Sequence, residues 1–173
     1  MKLFMTLTVT GILIWLELFA GNLGLPLGLP LYAALYFAVA NGMVYGMVSA
    51  GSAGLLLDLL YAREYLAGAL TGTAVVALCA AYACRSSRKM PYAPLTCGML
   101  CGLLICIVNW LWIFFSGGVY YGPDPLCMLI FQIVGGGIFM LLFTLTADAV
   151  NFRSDLPRFC LRDNRSGGVS DGR

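Results

Sequence analysis

Of the chain's 173 residues, 61% are hydrophobic and only 10% charged, with a formal net charge of +2 and no histidine. A mean hydropathy of +0.89 lies far outside the composition of soluble domains. That excludes a soluble globular enzyme, and the absence of any basic run interleaved with aromatics excludes a nucleic-acid surface. What is left is an all-α integral membrane protein in which the lipid bilayer is the main solvent.

Apolar blocks near the ~20 residues needed to cross ~30 Å of hydrocarbon recur along the chain, and in lipid their backbone must be helical. The first runs from 3 to 21. Lys2 before an apolar stretch imitates a signal peptide, but Glu17 interrupts that stretch and the candidate cleavage residue Ala20 has no small partner at position 18. It reads as a retained span. "GNLGLPLGLP" at 21 to 30 ends it, and a second, short span follows from 28 to 41. A break at Asn41-Gly42 opens the third, 43 to 61. If that break is absent, one long tilted span takes the place of two, giving five crossings instead of six.

"AREY" leads into the fourth span, 65 to 84, and "CRSSRKMPYAP" into the fifth, 95 to 116. "SGGVYYGPDP" precedes the sixth, 126 to 148. Proline and glycine supply most of these breaks. Residues 1–150 thus form a six-span transmembrane domain. Residues 151–173, rich in Arg, Asp, Ser and Gly without an amphipathic repeat, read as a disordered basic cytoplasmic tail.

Basic residues set the expected orientation. Arg85, Arg88 and Lys89 lie between spans four and five, and Arg153, Arg158, Arg162, Arg165 and Arg173 follow span six. Both regions are therefore expected in the cytoplasm, with the N-terminus on the same side if there are six spans.

Seven cysteines imply no disulfide framework. Cys79, Cys97, Cys101, Cys106 and Cys127 fall within spans, where thiols pack as small hydrophobes. Without histidine, the pair Cys97 and Cys101 is not expected to hold zinc. No cofactor, metal or catalytic residue is expected. A serine intramembrane protease needs a base that is missing. The two carboxylates an aspartyl protease needs are lacking too, because Asp58 and Asp148 fall near opposite faces.

One ridge stands out. Gly42, Gly46, Ala50, Gly54 and Asp58 recur every four residues along span three. Small residues at that spacing let another helix approach closely, and the ~40° drift per step slants the ridge around the helix. Gly68 and Gly72, and Gly98 and Gly102, offer matching surfaces. Asp58 closes the ridge within "GSAGLLLDLL". An acid at a helix centre costs about 2.5–3.5 kcal/mol on insertion scales, so Asp58 is expected to face the bundle. There Thr71, Thr73 or the first free amides of span four would satisfy it. Three readings stay open: a structural hydrogen bond, contact with a membrane partner or substrate, and catalysis. Glu17, Asn109 and Gln132 are the other polar residues at membrane depth, suited to interhelical hydrogen bonds or to a ligand cavity.

The segment "LPLYAALYFAVANGMVYGMVSAGSAGLLLDLL", 29 to 60, resembles the signature region of the bacterial rod shape-determining MreD family. A proline opens a short aromatic-rich span, a glycine-spaced span follows, and "GLLLDLL" closes it. "YLAGALTGTAVVALCAAY", 65 to 82, resembles the small-residue helix that comes next. The turn "YAREYLAG" departs from the family's usual small-residue, Leu-Gly turn. The resemblance implies a fold of six transmembrane helices similar to the substrate-binding subunits of energy-coupling-factor vitamin transporters. It implies a non-enzymatic subunit of the elongation machinery in the bacterial inner membrane. Its partners would be an MreC-like single-span protein and, indirectly, MreB, RodA and a penicillin-binding transpeptidase. Gly54 and Asp58 are the matching positions, with a role in helix packing or partner contact.

The competing expectation is a vitamin-transporter subunit of that same architecture. Its usual Ala-x-x-x-Ala docking pair is missing from the first span; Ala34 and Ala38 offer that spacing, but in the second.

Overall fold

The computed structural model describes residues 2–22, 27–61, 67–85, 92–116, 125–153 and 159. These form six helices: α1 (Lys2–Asn22), α2 (Leu29–Ala40), α3 (Met43–Leu60), α4 (Ala67–Arg85), α5 (Ala93–Ser116) and α6 (Pro125–Arg153). No strand occurs among the described residues.

Five of the helices, all but α2, are long and apolar enough to cross a membrane. Their large side chains point outward in the pattern lipid demands. In "GLLLDLL", Leu55, Leu56, Leu59 and Leu60 are exposed, while Gly54 and Asp58 are buried. The polar residues Thr6, Thr10, Glu17, Ser49, Asp58, Gln132 and Thr144 are inside. Trp15 and Trp110 are exposed on the apolar surface.

The break at Asn41-Gly42 is present. Asn41 N–H and Gly42 N–H both donate to the Phe37 carbonyl, at 2.9 and 3.2 Å, which closes α2. Gly42 then takes φ 117° and ψ 155°, a backbone region open essentially to glycine alone. With 12 residues, α2 is only about 18 Å long, short of the ~30 Å of a bilayer core. It compensates by position. Every α2 residue except Leu31 is buried, and the helix packs against α1, α3, α4 and α6. A helix enclosed by protein need not match the thickness of lipid.

Helix pairs are fastened where side chains are missing. A Cβ on Gly46 would lie 2.6 Å from the Ala38 Cα and 2.7 Å from the Ala34 carbonyl, which brings α3 backbone to backbone with α2. On Gly54 it would lie 2.6 Å from both the Ala69 Cα and the Gly68 carbonyl of α4. Gly98 and Gly102 of α5 meet Gly136 and Gln132 of α6 in the same way. The Thr10 and Ser49 hydroxyls, 2.7 Å apart, link α1 to α3 inside the bundle.

Of residues 151–173, the described part consists of the last turn of α6 and Phe159, which is buried and stacked on Tyr36. Arg88, Lys89, Arg158, Arg162, Arg165, Arg173, Tyr120 and Tyr121 lie outside the described residues.

Candidate functional site

The ridge on α3 serves two neighbours. Gly46 packs on α2, Ala50 is fully buried with its carbonyl facing Gly72 of α4, and Gly54 and Asp58 meet the start of α4. The drift of a four-residue repeat turns its far end away from α2 and onto α4. Gly42 takes no part in this contact. A Cβ there would meet nothing within 4 Å, so its role is the left-handed turn.

Asp58 Oδ2 accepts the Gly68 and Ala69 amides at 2.8 and 3.2 Å. These are among the amides that an α-helix leaves without internal partners in its first turn. Thr73 bonds instead to its own helix, donating to the Ala69 and Leu70 carbonyls. Gly54 makes the capture possible: one turn before the acid on the same face, it lets α4 come close enough for its first amides to reach the carboxylate.

Glu17 does the same for α2. Its Oε1 accepts Gly28 N–H at 2.9 Å and its Oε2 accepts Leu29 N–H at 3.0 Å. Gly28 sits in the left-handed region at φ 70°, and Pro30 follows in the first turn, where its missing amide leaves nothing unpaired. Glu17 precedes the end of α1 by five residues, about 7.5 Å along the axis. The chain therefore re-enters the bundle to begin α2 below the rim. Exposed amides at that depth are costly unless bonded, and Glu17 bonds them.

A third acid lies in the other part of the bundle. Asp148 Oδ1 accepts the Tyr36 hydroxyl at 2.6 Å and Phe159 N–H at 3.0 Å. All three acids in the described helices thus accept backbone amides at chain re-entry points. Nothing in the residue pattern pairs Asp148 with Tyr36 or Phe159; an acid near the end of a span was the only signal.

Between the two acid-capped helix starts lies a cavity of ≈ 320 Å³ bounded by α1 to α5. Glu17 lines it from α1 and Asp58 from α3, joined by Thr71 and Asn109. Leu31, Val75, Ile105 and Val108 supply apolar wall, and Gly54, Gly68 and Gly72 also line it. Gln132, read with Glu17 and Asn109 as suited to a cavity or to an interhelical hydrogen bond, does not line it: it sits on α6 against Gly102. Asp148 does not line the cavity either.

Cys79, Cys97, Cys101 and Cys106 are buried and unbridged, while Cys84 and Cys127 are exposed. No group of metal-ligating side chains forms among the described residues.

No protein-family model, curated protein or solved structure matches the chain.

Proposed function

We propose that the chain is a non-enzymatic, MreD-like scaffold subunit of the complex that inserts peptidoglycan along the side wall and so controls cell shape. The observation that carries this reading is the seating of Gly54 and Asp58 on the start of α4. These are the two positions at which the sequence matches the family signature, and close helix packing around a buried acid is the role that signature implies. In this reading α2 completes a sixth passage, in an architecture similar to the vitamin-transporter binding subunits. The protein sits in the bacterial inner membrane with both termini in the cytoplasm, in keeping with Arg85 in the last turn of α4 and the basic residues after α6. Its direct partner is an MreC-like single-span protein, which links it to MreB, RodA and a penicillin-binding transpeptidase.

Affinity purification of the tagged full chain from its own membranes in mild detergent tests this. An MreC-like protein should co-purify with the wild type and be largely lost from Asp58→Ala, with cells losing rod shape. Absence of such a partner from the wild-type preparation refutes the reading, as does an intact complex with normal morphology in the variant.

The cavity favours a second reading, the substrate-binding subunit of an energy-coupling-factor transporter, because Glu17 and Asn109 both line it. Against it stands the state of Ala34 and Ala38. Both are buried beneath Gly46, so that pair is unavailable for docking a coupling subunit.

A further inference from the structure

We propose that the cavity between the starts of α2 and α4 binds a small neutral molecule with an amide-like head, a hydrogen-bond donor and acceptor side by side, on a compact apolar body. The inference rests on the cavity and on Asn109, and it holds for a scaffold as well as for a transporter subunit.

Size and place come first. At ≈ 320 Å³ the space falls at the lower end of ligand pockets, which run from about 300 to 1,000 Å³. Residues of five helices wall it, so it is a built recess and not a gap between two of them. Glu17 and Gly21 lie toward the end of α1, Leu57 and Asp58 toward the end of α3, and Gly68, Thr71 and Gly72 near the start of α4. These ends share one side of the bundle, opposite Arg85 in the last turn of α4. A ligand therefore enters from that side and reaches a polar zone before the hydrocarbon below it.

The head is assigned from the polar group that the fold leaves over. Glu17 gives both of its oxygens to the Gly28 and Leu29 amides, and Asp58 Oδ2 accepts the Gly68 and Ala69 amides. Both acids are at work holding helix starts. Asn109 is placed differently: it lines the cavity, is exposed, and its carboxamide makes no hydrogen bond to any described residue. Its neighbours Ile107, Trp110 and Leu111 are exposed as well, but those side chains are largely apolar and suit lipid. A carboxamide with no bond at membrane depth is costly. It offers an acceptor and donors on one planar group, so an amide edge pairs with it twice, whereas an ester pairs with it once.

The body follows from the rest of the wall. Leu31, Val75, Ile105 and Val108 are hydrocarbon. Ile105, Val108 and Asn109 stand at i, i+3 and i+4 and so share one face of α5. That face grips the apolar body with two side chains and the head with the third, which is the mix of apolar wall and few convergent polar groups typical of small-molecule sites.

The test uses the purified full chain in phospholipid nanodiscs, with empty nanodiscs as the partition control, and four probes on one scaffold: 3-phenylpropanamide, methyl 3-phenylpropanoate, 3-phenylpropylammonium and 3-phenylpropanoate. Equilibrium dialysis should show saturable binding of the amide at one per chain. The ester, which lacks the donor, should bind about tenfold more weakly, the effect of one lost hydrogen bond, and the two charged probes more weakly than the amide. Asn109→Leu keeps the volume of the side chain and should bring the amide down to the level of the ester while leaving ester binding unchanged. Val108→Trp fills the space and should abolish binding of both while the protein stays monodisperse and helical; Asn109→Leu decides even where that bulkier variant does not fold. Equal binding of amide and ester, an undiminished preference for the amide in Asn109→Leu, tighter binding of either charged probe, or no saturable binding of the amide at millimolar concentration overturns the proposal. None of these outcomes bears on whether an MreC-like protein co-purifies, so the two proposals fail separately.

Discussion

Asp58 and Gly68 fit together as acid and vacancy. The Asp58 carboxylate accepts the Gly68 amide at 2.8 Å, and it can do so because residue 68 has no side chain: a Cβ there would lie 2.5 Å from Oδ1. The start of α4, the depth of the acid and the glycine are one arrangement, so a change at any of them is felt at the others.

Substituting the glycines by alanine should separate packing from helix propensity. Gly54→Ala meets α4 backbone, which cannot swing away, and should cost about 1–3 kcal/mol as overpacking. Gly68→Ala displaces the carboxylate and should cost about the same through lost hydrogen bonds. Gly11→Ala meets nothing within 4 Å and should be neutral or stabilising by up to about 1 kcal/mol. Reversible unfolding in mixed detergent measures all three; equal effects at the three sites would contradict the contact geometry.

Glu17→Ala leaves the Gly28 and Leu29 amides without their acceptor at the re-entry into α2. The expected loss is about 1–3 kcal/mol for each donor that finds no substitute. Glu17→Gln keeps one acceptor oxygen and should lose less. Amide hydrogen exchange at Leu29 should accelerate in Glu17→Ala, and unchanged protection there would argue against the cap.

Tyr36 and Asp148 invite a double-mutant cycle. The hydroxyl to carboxylate bond of 2.6 Å should give a coupling of about 0.6 kcal/mol and no more than about 1.7, the average and the maximum found for interhelical bonds in a membrane protein. Phe159→Ala should destabilise by removing the ring stacked at 6.2 Å between centroids, and because that ring lies on Tyr36 its effect should not simply add to that of Tyr36→Phe. A coupling near zero would detach Asp148 from α2.

Gly42 tests conformation without contact. A Cβ at this position meets nothing within 4 Å, yet φ 117° and ψ 155° exclude ordinary side chains. Gly42→Ala should therefore cost about 1–3 kcal/mol, while Gly135→Ala, equally uncrowded but within α6, should not. Matched thermal unfolding of the two variants decides it.

Much of this architecture was legible because lipid imposes simple rules. An apolar run of about 20 residues must be helical, and "NG" at 41 and 42 breaks one. Spacing of four announced close packing along α3, and an acid beside it had to face inward. The partition of that ridge between α2 and α4 was not legible, since it depends on where a second helix happens to lie as the ridge drifts around the first. Glu17 stood out as an acid in a greasy span, but its partner amides lie across a chain reversal whose depth no local pattern encodes.

The amino-acid sequence by itself determined that this is a helical membrane protein, where its helices break, and which of its residues could not face lipid. Each of those is a one-residue or one-helix property, set by transfer energy and backbone hydrogen bonding. Only the tertiary structure decided that the short α2 is wrapped in protein, that three acids hold re-entering amides, and that two of them share one cavity. Those facts depend on where separate helices start relative to one another in depth, and depth is fixed by packing between helices and not by any stretch of chain alone.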